Sequence, residues 1–163
     1  MIVIVDYDTG NTRNVKKALD YLGVNNQLSA DPAIIMAASG LILPGVGAFK
    51  EAMKALNQRQ LVPVIQAFAA TGKPLLGICL GMQLLFDRSF EFGETAGLGL
   101  IPGEVVAIPT DSGLAVPHMG WNTNSLTQPD LFAAVFADQA TYFVHSFYAT
   151  TLPQFTLATT DYG

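Results

Sequence analysis

The sequence predicts an α/β domain: a doubly wound, mostly parallel sheet with helices on both faces and a strand-rich second half. Three observations predict it. Apolar runs without polar alternation recur early, at 2–6 (IVIVD), 41–43 (LIL) and 74–78 (PLLGI), as in strands buried on both faces. Amphipathic stretches separate these runs, which is the arrangement of parallel strands joined by crossover helices. Beyond residue 90 the glycines at 93, 97, 99 and 103 break the pattern, and strand-like segments follow with little helix between them.

The elements follow in order. Residues 2–6 run into the turn residues Asp8, Thr9, Gly10 and Asn11. In TRNVKKALDYLG, Val15, Ala18, Leu19 and Leu22 fall at i, i+3, i+4 and i+7, with Asn11 or Thr12 as cap and Gly23 as terminator. A strand follows near 25–28, and Asp31-Pro32 pairs a capping carboxylate with proline at the first helical position. GLILPGVG carries strand 41–43 into a glycine-rich loop, followed by a helix over 48–56 and another in LVPVIQAFAATG. The strand PLLGI then feeds a predicted helix, LGMQLLF, at 80–86. Later, EVVAI, MGWNTNSL, TYFVHSFY and FTLATT read as strands, with a short turn near 130–136.

Composition narrows the function. The 163 residues suit one domain spanning 1–163. The chain ends on TTDYG, a strand and a turn with no closing element, so the expectation is a domain whose C-terminal part is missing. A net charge of −5 without any basic patch excludes a nucleic-acid face. One cysteine cannot close an internal disulfide, and the opening MIVIVDYDTGN is no signal peptide, so a cytoplasmic protein without a membrane span is expected. The two histidines are far apart in sequence, no cysteines pair, and neither a Walker loop nor GxGxxG occurs. No metal and no cofactor is expected.

The single cysteine sits in GICLG, between Gly77 and Gly81, where a buried strand becomes a helix. Most free cysteines are small buried hydrophobes. Flanking glycines at a strand–helix junction point instead to a sharp turn that holds a nucleophile at the carboxyl edge of a parallel sheet, where ligands bind. A helix beginning at Leu80 would aim its free N–H groups and positive dipole end at the Cys79 sulfur, favouring thiolate. The Leu80 N–H is the first oxyanion donor of such an elbow. LPGVGAF, at 43–49, also follows a strand, and Val46 and Gly47 are the expected second donors from that edge.

GICLGMQLLF, PGVGAF, PHMGWN and YFVHSFY together resemble the glutaminase subunit of imidazole glycerol phosphate synthase, a class I glutamine amidotransferase of flavodoxin-like fold in histidine biosynthesis. The similarity runs from DYDTGN to the last residue. The resemblance implies that Cys79 attacks the side-chain amide of glutamine through a thioester, releasing ammonia to a separate (β/α)8-barrel cyclase subunit. It also implies that Gln83, Glu91, Ser146 and Phe147 contact substrate, the last two through their backbone. Tyrosine is common in the family where this chain has Phe147. Asn11, Trp121, Asn122 and Tyr142 are implied at the cyclase contact, although Trp121 by itself reads as a core residue.

Thioester chemistry also needs a general acid and base, ordinarily a histidine oriented by a carboxylate. Neither His118 nor His145 matches the family's catalytic histidine, which belongs to a His-Pro-Glu segment absent from the sequence. The expectation is therefore poor turnover by these 163 residues. A partner-binding fragment without hydrolysis and another cysteine-elbow hydrolase are the alternatives.

Overall fold

The computed structural model describes residues 1–8, 10–110, 113–130 and 133–162. The first half alternates as predicted: β1 (Ile2–Val5), α1 (Thr12–Tyr21), β2 (Asn26–Ser29), α2 (Pro32–Ala37), β3 (Gly40–Gly45), α3 (Phe49–Gln58), α4 (Leu61–Ala70), β4 (Leu75–Cys79) and α5 (Leu80–Gln83). Its four strands form a parallel sheet in the order β2-β1-β3-β4. Val3, Ile4 and Val5 on β1 and Leu41 and Leu43 on β3 are buried as their apolar runs require, whereas β4, at the edge of the sheet, leaves Leu76 56% exposed against the same expectation. Phe49, Leu56, Leu61, Ile65 and Phe68 from α3 and α4 complete that core.

Local signals explain the helix ends. Asp31 Oδ1 accepts from the N–H groups of Ala33 at 2.7 Å and Ile34 at 3.3 Å, so the predicted cap of α2 is formed. Gly23, at φ +69°, closes α1 with its N–H on the Asp20 carbonyl. Asn11 occupies the cap position of α1, but its side chain makes no capping bond. α1 buries no residue.

The departure from the prediction begins at α5. LGMQLLF is not one helix: α5 ends after a single turn, and β5 (Phe86–Ser89) follows. The carbonyls that would continue the helix are taken elsewhere, Leu84 O by the Leu98 N–H and Leu85 O by those of Leu100 and Ile101. A short, wholly apolar run does not distinguish buried helix from buried strand, and these distant donors decide it.

Next come β6 (Thr95–Ala96), β7 (Ile101–Ala107), β8 (His118–Thr123), β9 (Ser125–Leu126), β10 (Ala140–His145), β11 (Phe147–Thr151) and β12 (Ala158–Thr159). They form a β11-β7-β5-β6 sheet and the two-stranded pairs β10-β8 and β12-β9. TYFVHSFY is thus two strands broken at Ser146, the first pairing β8 and the second β7. FTLATT keeps only Ala158–Thr159 as strand, after a 3-10 turn at Pro153–Phe155. The turn predicted near 130–136 is a 3-10 turn at Ala133–Phe136; residues 131 and 132, like Thr9 of the first predicted turn, lie outside the described residues.

Arg88 on β5 bonds Glu104 on β7 and also Glu94, and the Glu104 contact is the main cause of its raised pKa. These exposed pairs contribute little stability. Among the described residues no helix is long and apolar enough to cross a membrane.

Candidate functional site

The carboxyl edge of the parallel sheet is where β4 turns into α5, and Cys79 is the residue on the corner. Its backbone sits at φ +55° and ψ −121°, a conformation that side-chain-bearing residues rarely adopt. The glycine frame follows from the crowding this turn creates. A Cβ on Gly81 would lie 1.8 Å from the Leu43 carbonyl oxygen, and one on Gly77 would lie 2.5 Å from Met82 Cα. Only hydrogens fit where α5 folds back over the ends of β3 and β4.

The sulfur is exposed rather than walled in by hydrocarbon. Cys79 shares a cleft of about 210 Å³ with Asn11, Asn14, Pro44, Gly45 and Val46, so the loop after β1 and the end of β3 both reach the thiol. β3 and β4 register Gly45 against Cys79, which aligns the predicted Val46–Gly47 segment just beyond the elbow. Val46 is half exposed, and Gly47 has φ +91° with open space around it. Leu80 is buried and opens α5, whose first N–H groups have no partner within so short a turn. One turn carries little of a helix dipole, so the electrostatic support expected from α5 reduces to those individual N–H groups.

Tyr7 is a part of the site that the sequence reading missed. It is fully buried, and its hydroxyl donates to the Pro44 carbonyl at 2.6 Å, pinning the β3 end that faces Cys79. Its one signal was position: a tyrosine directly after the first strand, at the edge where ligands bind.

The expected substrate contacts are partly brought together. Gln83 Nε2 donates to the Phe147 carbonyl at 3.1 Å, joining α5 to the start of β11. Ser146 lies at the break between β10 and β11, its carbonyl accepting from the Ile108 N–H. The Phe147 ring packs edge-on to Phe92 at 6.4 Å. Glu91 is not free: Oε2 accepts from the Phe49 N–H at 2.6 Å, placing its negative charge at the start of α3.

The histidines, distant in sequence, are neighbours in space. His118 Nδ1 lies 3.0 Å from His145 Nε2, His118 Nε2 lies 2.8 Å from Asn122 Oδ1, and His145 Nδ1 lies 2.9 Å from the Phe147 carbonyl. All four ring nitrogens are engaged, and none of these partners is Cys79. Among the described residues no group of three or more His, Cys, Asp or Glu could hold a metal.

Trp121 is 72% exposed, against its reading as core, and stacks edge-on with the half-exposed Tyr142 at 5.5 Å across the β8–β10 pair. Asn122 points to the other face of that ribbon, toward His118, which separates it from Trp121 and Tyr142.

Comparisons with known proteins bear on the family and the fold. The family profile described as "Glutamine amidotransferase class-I" matches residues 3–162. Over 163 residues the chain is 59% identical to imidazole glycerol phosphate synthase subunit HisH of Lactiplantibacillus plantarum, covering 100% of this chain and 78% of that protein. It is 53% identical to the same-named subunit of Streptococcus sanguinis, covering 100% of this chain and 79% of that protein. A solved glutamine amidotransferase superposes with TM-score 0.65 at 18% identity, over 90% of this chain and 71% of the other. Another solved glutamine amidotransferase, from Thermotoga maritima, gives TM-score 0.57 at 14% identity, over 92% of this chain and 62% of the other. At such identities the two structures speak for the fold alone.

Proposed function

The chain belongs to the class-I glutamine amidotransferase family, and from that premise we propose that Cys79 hydrolyses glutamine through a thioester, in the service of histidine biosynthesis. The observation that carries this reading is the exposed thiol on a strained corner, in a cleft shared with Pro44, Gly45 and Val46. The thiolate adds to the side-chain amide carbon, forming the C–S bond and an oxyanion. Leu80 N–H, with Val46 or Gly47 N–H from the facing loop, stabilises that oxyanion. Collapse breaks the C–N bond, and ammonia leaves with a proton from a general acid. Water then cleaves the thioester to glutamate and restores the thiol.

Gln83 and the Ser146–Phe147 backbone hold the amino-acid end of glutamine. Glu91 contributes charge toward its α-ammonium through the carboxylate oxygen not used by Phe49. Ammonia passes to a barrel-shaped cyclase subunit that docks over Asn11, Trp121 and Tyr142, with Asn122 supporting β8 from behind. The subunit names of the relatives support such a partner.

Among the described residues neither imidazole partners Cys79, since the two bond each other, Asn122 and Phe147. Turnover is therefore about 10²–10⁴-fold below that of a glutaminase with a working histidine base. The same observation favours a second reading, in which the chain docks on the cyclase and hydrolyses nothing. Two measurements with excess cyclase subunit test the proposal: glutamate release from glutamine, and mass-spectrometric labelling of Cys79 by 6-diazo-5-oxo-L-norleucine. The expected result is stoichiometric labelling, lost in Cys79→Ser, with slow glutamate release. Failure to label refutes the thioester reading, docking alone supports the second, and full-rate turnover refutes the account of the missing base.

A further inference from the structure

The hydrogen-bonded histidine pair ends on a backbone carbonyl that also meets the elbow's own turn. A carbonyl only accepts, so His145 Nδ1 must carry the proton it shares with Phe147. In a neutral ring, His145 Nε2 is then an acceptor, which places the next proton on His118 Nδ1. Donation therefore runs one way, from His118 to His145 to the Phe147 carbonyl. The remaining nitrogen, His118 Nε2, faces the Asn122 amide, which can turn either end toward it. His118 is 2% exposed and stacks on Phe143 at 4.8 Å and on Tyr162 at 3.7 Å. The donor that backs His145 is thus held in place.

The Phe147 carbonyl has a second donor, Gln83 Nε2, so both its lone pairs are filled from different elements. Gln83 is the last residue of α5, the turn that Cys79 opens. The peptide at 146–147 is also where the chain leaves the β8–β10 ribbon and enters the sheet of β7. Its outer partner is the Ile108 N–H on the Ser146 carbonyl; the next peptide, whose carbonyl is that of Phe147, is held toward α5 by His145 and Gln83.

We propose that His145, backed by His118, is a positioning residue for substrate: it fixes the Phe147–Tyr148 peptide against Gln83, so that the Phe147 backbone and Gln83 present one surface to the amino-acid end of glutamine. This rests on the glutaminase reading above. A purely packing role for the pair would affect folding without changing how strongly a glutamine-shaped reagent is held.

The test measures Cys79 labelling against 6-diazo-5-oxo-L-norleucine concentration, which gives a half-saturating concentration and a maximal rate. Iodoacetamide, which needs no glutamine subsite, is the control reagent. His145→Phe is expected to raise the half-saturating concentration about 2- to 12-fold, the equivalent of one lost hydrogen bond, with the iodoacetamide rate unchanged. His145→Asn, whose amide nitrogen reaches the place of Nδ1, is expected to restore it to within about twofold of the unmodified chain. An unchanged half-saturation in folded His145→Phe, or equal losses with both reagents, overturns the inference alone. Should His145→Phe not fold, ¹⁵N spectra of the imidazoles in the unmodified chain decide. Nδ1-protonated rings whose signals move on labelling support the inference, and any other tautomer or unmoved signals overturn it. No labelling of the unmodified chain by the glutamine analogue overturns the glutaminase reading and this inference with it.

Discussion

Gly81→Ala isolates the steric condition on which the elbow depends. Gly81 is not at positive φ, so alanine meets no backbone strain there, and in a helical turn it would ordinarily gain about 1 kcal/mol over glycine. Against that stands the added Cβ, 1.8 Å from the Leu43 carbonyl oxygen, 2.7 Å from Leu43 C and 3.0 Å from Pro44 C. All three are backbone atoms of β3, which cannot swing aside as a side-chain tip would. Reaching ordinary contact at 3.4 Å requires about 1.6 Å of separation between α5 and β3. Overpacking of this kind costs about 1–3 kcal/mol or more, which outweighs the propensity gain.

The consequence for chemistry exceeds that for stability. The same separation parts Leu80 from the Val46–Gly47 loop, and misplacement by about 1 Å can cost 10²-fold in rate. Thermal unfolding should therefore show a drop of at least about 2–4 °C per kcal/mol lost. Cys79 labelling by the glutamine analogue should fall about 10²-fold, while iodoacetamide still reaches the thiol. Gly47→Ala is the contrasting variant: nothing lies within 4 Å of its added Cβ, so only the φ of +91° is strained. A Gly81→Ala protein with unchanged melting temperature and labelling would refute the crowding argument, and with it the reason for the glycine frame.

Two further variants probe the neighbours. Tyr7→Phe removes the 2.6 Å donor from the Pro44 carbonyl in a buried setting, which should cost about 1–3 kcal/mol and slow Cys79 labelling; a melting curve and labelling rate identical to the unmodified chain would exclude Tyr7 from the site. Trp121→Ala should leave stability within about 0.5 kcal/mol, because the ring is 72% exposed, yet weaken cyclase binding by about 2 kcal/mol, roughly 30-fold. Lost stability with intact binding, by calorimetry and titration, would make Trp121 a packing residue.

The parallel half of the fold was legible because its signals are local. Unbroken apolar runs gave β1, β3 and β4, the Asp31-Pro32 cap gave α2, and Gly23 closed α1. Cys79 was legible for the same reason, since the glycines that admit its turn flank it in sequence. What was not legible depends on partners far along the chain. Leu84 and Leu85 leave the helical path because residues 98–101 claim their carbonyls. Glu91 is a neighbour of α3 only through a fold that brings it to Phe49, 42 residues away. His118 and His145 looked unrelated until the antiparallel register of β8 with β10 set them opposite each other.

The shortness of α5 changes where the charge stabilisation for Cys79 must come from. A long helix behind the nucleophile would supply a dipole whatever the neighbouring loop did. A single turn supplies a few N–H groups, and these act only at hydrogen-bond range. Stabilising an oxyanion then depends on how accurately the end of β3 is held opposite Leu80. Tyr7 holds that end through the Pro44 carbonyl, and Gly81 allows α5 to close on it. Beyond that anchored end, Gly47 has a positive φ and open space around it. On the proposed glutaminase reading, reactivity at Cys79 would respond to a partner at Val46, which lines the cleft and is half exposed.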